Sequence, residues 1–182
     1  MIYVFLAPGF EEIEALAVVD VLRRAELDVL TVGVGEDFVI GSHQIPVAAD
    51  IHERDLILDD KVEAIVLPGG MPGTLNLEKS PIVQKAIDWA LEKDKLICAI
   101  CAAPSILGHK GLLEGKKATC FPGFEEELLG AEVSKDFVVK DSNFITAKGM
   151  GSAIEFGLQI AETLTNPLEV KKIRASLQIY NG

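Results

Sequence analysis

The chain has 182 residues, 17 Lys and Arg against 28 Asp and Glu, a formal net charge of −11 and a hydrophobic content of 49%. That mix excludes a disordered chain and suits one folded domain, read here as spanning residues 1–182, with a core of its own. The acidity, the lack of a Lys/Arg block and an aromatic content of 6% exclude nucleic-acid backbone as a main partner.

Strand-like and helix-like patterns alternate along the chain. Ile2 to Ala7 is a wholly apolar strand ended by Pro8-Gly9, and Glu11 to Ala25 has helical spacing with Ile13, Leu16, Ala17 and Leu22 on one face. Asp28 to Val34 is a second strand. Phe38 to Ile40 and Ile45 to Ala49 form a hairpin. Ala64 to Leu67 is a buried strand that stops at Pro68-Gly69-Gly70. Pro81 to Lys93 is a helix capped by Ser80. Leu96 to Ile100 is a strand, and Ala103 to His109 a helix with Pro104 in its first turn. Lys117 to Cys120, Val138 to Lys140 and Phe144 to Ala147 are further strands. Helices follow from Ser152 to Leu164 and from Leu168 to Ser176. Such alternation predicts an α/β sandwich, a mostly parallel sheet with helices on both faces, with ligands beyond the carboxyl ends of its strands. The loops there are Pro8 to Glu12, Pro68 to Gly73, Cys101 to Ala103, and Lys148 to Gly151.

Nucleotide fingerprints fail in each glycine-rich stretch, and no cofactor is expected. Cys98, Cys101 and Cys120 are too few for a disulfide framework, and Cys98-x-x-Cys101 lacks the second pair a metal would need, so no metal is expected. Seven apolar residues before Pro8 are too few for a signal peptide or a membrane span, so the cytoplasm is the expected compartment, away from membranes.

The strongest feature is Leu96 to Pro104, an apolar strand that ends abruptly at Cys101 and passes through Ala102 and Ala103 into a helix. This is the pattern of a nucleophile elbow, and a thiol facing a helix N-terminus is expected to have a lowered pKa. The alternative is a small core residue. Cys98 and Cys120 read as packing. Gly69, Gly70 and Ala102 offer backbone N–H groups to an oxyanion, or Gly69-Gly70 is an ordinary tight turn. Glu11, Glu12 and Glu14 read as a solvated acidic first turn, unless one faces inward and gains a raised pKa. Nothing in the sequence places His43, His52 or His109 within reach of Cys101.

Four segments carry a resemblance: Ala7 to Glu14, Leu67 to Gly70, Ala99 to Pro104 and Thr146 to Gly151. In this order they resemble the ThiJ/PfpI superfamily, on the branch of the parkinsonism-linked protein deglycase and bacterial YajL. The resemblance implies a flavodoxin-like sandwich, usually a homodimer, with Cys101 as an oxidation-prone nucleophile. It implies that Glu14 is protonated and bonded to the thiolate, with Gly69, Gly70 and Ala102 around it. Phe121 stands where that branch has a histidine, and His43 where it has an arginine that reaches a partner subunit. Ala102 stands where protease-like members have a histidine. Phe121, His43, Lys148 and Gly149 are therefore expected to line the site. The resemblance implies a glyoxalase or deglycase, a lyase or hydrolase, acting on a small carbonyl or a glycated thiol or amine in stress protection. The alternatives are a redox sensor or chaperone, and an intracellular amidase or protease or a ThiJ protein of the kind labelled as thiazole biosynthesis.

Overall fold

The computed structural model describes residues 1–179; the last three residues of the expected domain lie outside the described residues. The chain runs β1 (Ile2–Leu6), α1 (Glu12–Arg24), β2 (Val29–Gly33), β3 (Phe38–Ile40), β4 (Pro46–Ala48), β5 (Ile51–His52), β6 (Ala64–Leu67), α2 (Gly73–Lys79), α3 (Pro81–Glu92), β7 (Leu96–Ile100), α4 (Pro104–His109), β8 (Lys117–Ala118), β9 (Glu132–Val133), β10 (Val138–Asp141), β11 (Phe144–Ala147), α5 (Ala153–Leu164) and α6 (Pro167–Ser176). Seven strands make the main sheet in the order β10-β11-β7-β6-β1-β2-β5, parallel except for the β10–β11 pair. This is the expected flavodoxin-like sandwich.

The apolar strands are covered on both faces because their side chains alternate. Ile2, Val4 and Leu6 of β1 join a core with Val18, Leu22, Phe156 and Ile160 of α1 and α5. Tyr3 and Phe5 join a second core with Leu77, Val83 and Ile87 of α2 and α3. Helices α1 and α5 approach closely where Gly157 lacks a side chain; a Cβ there would stand 3.1 Å from Val21 Cβ. Among the described residues no helix is long and apolar enough to cross a membrane.

Three sequence expectations change. The inner face of α1 is Glu14, Ala15, Val18, Val21 and Leu22, while Ile13 is 55% exposed and Leu16 36%. The spacing 14, 18, 21, 22 is a proper helical face, hidden because its first member is an acid. The predicted strand from Lys117 to Cys120 is only two residues long and pairs with β9 in a separate small sheet, not the main one. Helix α2 and the short edge strand β5 have too few periodic residues to be visible in the sequence.

Strand β1 lies inside the sheet, with the chain continuing to β2 on one side and later to β6 on the other. The carboxyl ends of β1, β6, β7 and β11 therefore bring together the loops beginning at Ala7, Pro68, Cys101 and Lys148, at the reversal of strand order where such sheets form crevices. The β3–β4 hairpin folds over the first loop, with Gly9 N–H donating to Ile40 O at 2.8 Å and Ser42 N–H to Phe10 O at 2.8 Å.

Candidate active site

Cys101 follows the last residue of β7 with φ of +65°, a left-handed conformation that a β-carbon makes costly. Its N–H donates to Ala147 O at 2.9 Å and its carbonyl accepts from Phe121 N–H at 2.8 Å, so the end of β11 and the loop after β8 hold the strained turn. Ala102 and Ala103 leave room for it, and Pro104 opens α4 at a position that needs no N–H. The residue is 9% exposed. The elbow read from the sequence is present.

Glu14 comes from the first turn of α1 and is fully buried. Glu11 caps the helix by accepting from Glu14 N–H at 2.8 Å, which fixes the turn. Glu14 Oε2 accepts from Gly69 N–H at 2.9 Å. The carboxyl group lies against the Cys101 thiol and the Met150 N–H, yet Oε1 has no well-formed hydrogen bond. Burial pushes the Glu14 pKa up to about 7, outweighing the lowering by the Cys101 thiol, with the Glu11 charge adding to the rise and the Gly69 and Met150 N–H groups opposing it. Gly69 is required by the close approach: a Cβ would fall 2.5 Å from Cys101 Cβ and 2.6 Å from Glu14 Oε2.

Two expectations need correction here. Gly69 N–H is committed to Glu14, so it is not a free oxyanion donor. The N–H groups of Gly70 and Ala102 instead face the Cys101 sulfur. The lowered thiol pKa expected from the helix N-terminus is also reversed. Burial, and then the Glu14 carboxylate, push Cys101 up to about 12, outweighing Ala102 and Gly70. The first proton thus leaves the Cys101–Glu14 pair near 7, while burial and the carboxylate keep the second on the pair well above that.

The acidic first turn is not solvated. Glu11 and Glu12 are 4% and 5% exposed. Glu12 accepts from His43 N–H at 2.8 Å, Ile45 N–H at 3.4 Å and Ser42 Oγ at 3.3 Å, and contacts His43 Nδ1 at 3.1 Å. Burial would raise its pKa, but its own N–H, His43 and Ile45 bring it below the usual carboxylate value. Glu11, Glu12 and His43 present ligand atoms within 4.8 Å of one another, which is cation-like spacing, although the Glu12 oxygens already accept these donors.

The other expected residues separate into near and remote. Phe121 and Gly149 lie at the rim: a Cβ on Gly149 would stand 3.1 Å from the Phe121 ring and 3.7 Å from Glu14 Oε1. Lys148 donates to Lys135 O at 2.6 Å and sits 5.1 Å from the Phe137 ring centroid, so its ammonium is engaged at the rim. His43 lies on Glu12 of its own chain, His52 accepts from Arg54 N–H, and His109 bridges Glu78 and Glu127 at 2.5 and 2.7 Å. None of the three hydrogen-bonds Cys101. Cys98 is fully buried, and burial followed by Glu125 raises Cys120 to about 11. The sequence reading missed Met150, whose N–H faces Glu14; the signal was its place between two glycines after a buried strand.

Residues 1–163 match the DJ-1/PfpI family. Protein dj-1beta of Drosophila melanogaster is 37% identical over 182 residues, covering 98% of this chain and 97% of that protein. Its crystal structure covers 98% of this chain and 97% of that one with a TM-score of 0.92. A protein of Caenorhabditis elegans named glutathione-independent glyoxalase DJR-1.2 is 33% identical, covering 86% of this chain and 84% of its own length. With the family match, these relatives and the shared fold extending along nearly its whole length, the chain belongs to the DJ-1/PfpI family.

Proposed function

We propose that the protein is a cofactor-independent enzyme whose Cys101 attacks small reactive carbonyls, a glyoxalase or deglycase type of activity working in the reducing cytoplasm. The observation that carries this reading is the pairing of a strained elbow thiol with a fully buried glutamate that titrates near neutrality. The relative named as a glutathione-independent glyoxalase supports it.

With methylglyoxal the steps balance as follows. Glu14, a carboxylate above about 7, takes the proton of the Cys101 thiol as sulfur attacks. Sulfur forms a bond to the aldehyde carbon, the C=O π pair moves to oxygen, and Glu14 protonates that oxygen to give a hemithioacetal. Gly70 and Ala102 N–H groups face the sulfur and stabilise negative charge that develops there and on the adjoining oxygen. Glu14, now a carboxylate, takes the C–H proton and passes it to the neighbouring carbonyl oxygen, giving an enediol, and then carries the proton of the first hydroxyl to that neighbouring carbon. The product is a lactoyl thioester, which water hydrolyses to lactate and free Cys101. The sum is methylglyoxal plus water to lactate, with no external oxidant or reductant.

The test is lactate formation by pure wild-type protein, Cys101→Ser and Glu14→Ala. We expect turnover only in the wild type; equal rates in all three would refute the reading. The free Cys101, 9% exposed, also favours a second reading, a redox sensor or chaperone, because none of the histidines bonds it. Mild peroxide followed by intact mass separates the two: oxygen gained at Cys101 with no lactate formed supports the sensor. Proteolysis through a Cys–His pair has no support. As partner we propose a second copy of this chain, because Ile13, Leu16, Ile40 and Ile45 are exposed on α1 and the neighbouring hairpin. A monomeric mass by light scattering at micromolar concentration would refute this.

A further inference from the structure

Beside the Cys101–Glu14 pair lies an open cleft of about 220 Å³ whose walls are Phe121, Pro122, Phe137 and Met150, with Lys148 and Gly149 at its edge. None of the proposed steps uses it. Methylglyoxal has only a methyl group beside its two carbonyls and would leave the cleft empty.

We propose that this cleft is a substituent-binding subsite, and that the carbonyl substrates preferred by the protein are 2-oxoaldehydes carrying an aryl or larger apolar group. The inference rests on the carbonyl-directed reading above and names its substrate class. Three observations carry it. First, the cleft shares a wall with the reacting pair. Gly149 stands between the Phe121 ring and Glu14 Oε1, and Met150 turns its N–H to the Glu14 carboxyl while its side chain lines the cleft. A substrate whose carbonyl meets Cys101 would have its substituent beside this wall. Second, Phe121, Phe137 and Met150 are 38%, 69% and 42% exposed around one opening, a concentration of large apolar groups that solvent does not favour. Third, the aromatic walls are held in position. Phe121 is tied through its N–H to the carbonyl of Cys101, and the Lys148 ammonium, anchored on Lys135 O, lies over the Phe137 ring. An apolar cavity of roughly 150 Å³ suffices to bind benzene in an engineered protein, so a phenyl group fits the volume here. No carboxylate lines the cleft to repel an electron-rich ring or attract a cationic one.

The experiment has two arms. One compares kcat/KM for phenylglyoxal and methylglyoxal. The other compares alkylation of Cys101 by phenacyl bromide and bromoacetone, in which sulfur bonds to carbon and bromide leaves, followed by intact mass with Cys101→Ser as the blank. Each aryl-to-methyl ratio is divided by the ratio for free cysteine or, for turnover, by that of Phe137→Ala. We expect a normalised preference of about tenfold or more for the aryl reagent in the wild type, falling several-fold in both Phe121→Ala and Phe137→Ala. Phe137 is mostly exposed, so its replacement leaves the fold standing even if Phe121→Ala disturbs the rim. A normalised alkylation ratio near one, or a ratio unchanged by both substitutions, overturns the subsite. If turnover of both aldehydes is absent while the alkylation preference holds, the cleft stands and the glyoxalase reading fails. Turnover with no aryl preference in either arm has the opposite meaning.

Discussion

Glu12 and Glu14 sit two residues apart in the first turn of the same helix, both almost completely buried, yet their acidities move in opposite directions. Burial alone would raise both. Glu12 meets its own N–H, the His43 ring and the His43 and Ile45 N–H groups of the β3–β4 hairpin, and these donors more than offset its desolvation. Glu14 meets one well-formed donor, Gly69 N–H, and leaves Oε1 without a well-formed hydrogen bond, facing a site that also holds the thiol. The difference separates an acid that braces structure from one able to hold and release a proton near neutrality.

The largest way to break this contrast is Gly69→Ala. The new methyl group would overlap both Cys101 and Glu14, so we expect loss of carbonyl turnover by on the order of 100-fold or more and a destabilisation of about 1–3 kcal/mol. Full activity in this variant would mean that the pair needs no close contact.

Glu14→Gln comes next. A carboxyl whose folded pKa is raised binds its proton more tightly in the fold, so its stability contribution is full below the unfolded value of 4.5 and is lost as pH rises through about 7. Glutamine cannot ionise and avoids that loss. Thermal unfolding should show the variant more stable than wild type at pH 8, by about 1–3 kcal/mol, with the gap closing near pH 4. A variant less stable at pH 8 would contradict the neutral character assigned to Glu14.

Glu12→Gln should show the reverse sign and a smaller size. Its folded pKa is lowered, so its contribution is present above the unfolded value of 4.5 and disappears as pH falls through the folded one. Urea unfolding should give a loss of about 1–2 kcal/mol at pH 7, fading in acid. Equal losses at pH 7 and pH 3 would remove the charge from the explanation.

The smallest effect is at His109, an exposed version of the same problem. Its ring lies between Glu127 and Glu78, which raise its pKa. The bridge should therefore be fully present below the ordinary histidine value and weaken as pH rises through the raised one. Thermal unfolding of His109→Gln should show a cost of about 1 kcal/mol or less at pH 6, small because solvent screens such pairs, and a smaller cost as pH rises through the raised value.

The inner strands were legible because β1, β6 and β7 are short and wholly apolar and β11 is apolar but for Thr146, ended by Pro-Gly, Gly-Gly, Cys-Ala-Ala and Lys-Gly. Cys101 was legible because an abrupt strand end followed by small residues has few other uses. What burial does to the acids was not. The residues that surround Glu12 come from positions 42–45, and the partners of Glu14 from 69, 101 and 150, contacts that only the packed sheet creates. For the same reason the sign of the Cys101 shift went against the local helix. Its six-residue helix has a weaker influence than desolvation and an acid brought from 87 residues away in sequence.

The central claim is that Cys101 and Glu14 act as one proton-sharing pair. The pH dependence of Cys101 alkylation by iodoacetamide, followed by intact mass in wild type and Glu14→Gln, tests it most directly. We expect the wild-type rate to rise through an inflection near 7, where the pair loses its first proton, and the inflection in Glu14→Gln to move above the ordinary thiol range, because burial remains and no carboxyl can take the proton. A single inflection near the ordinary thiol value of about 8.5, identical in both proteins, would contradict the account.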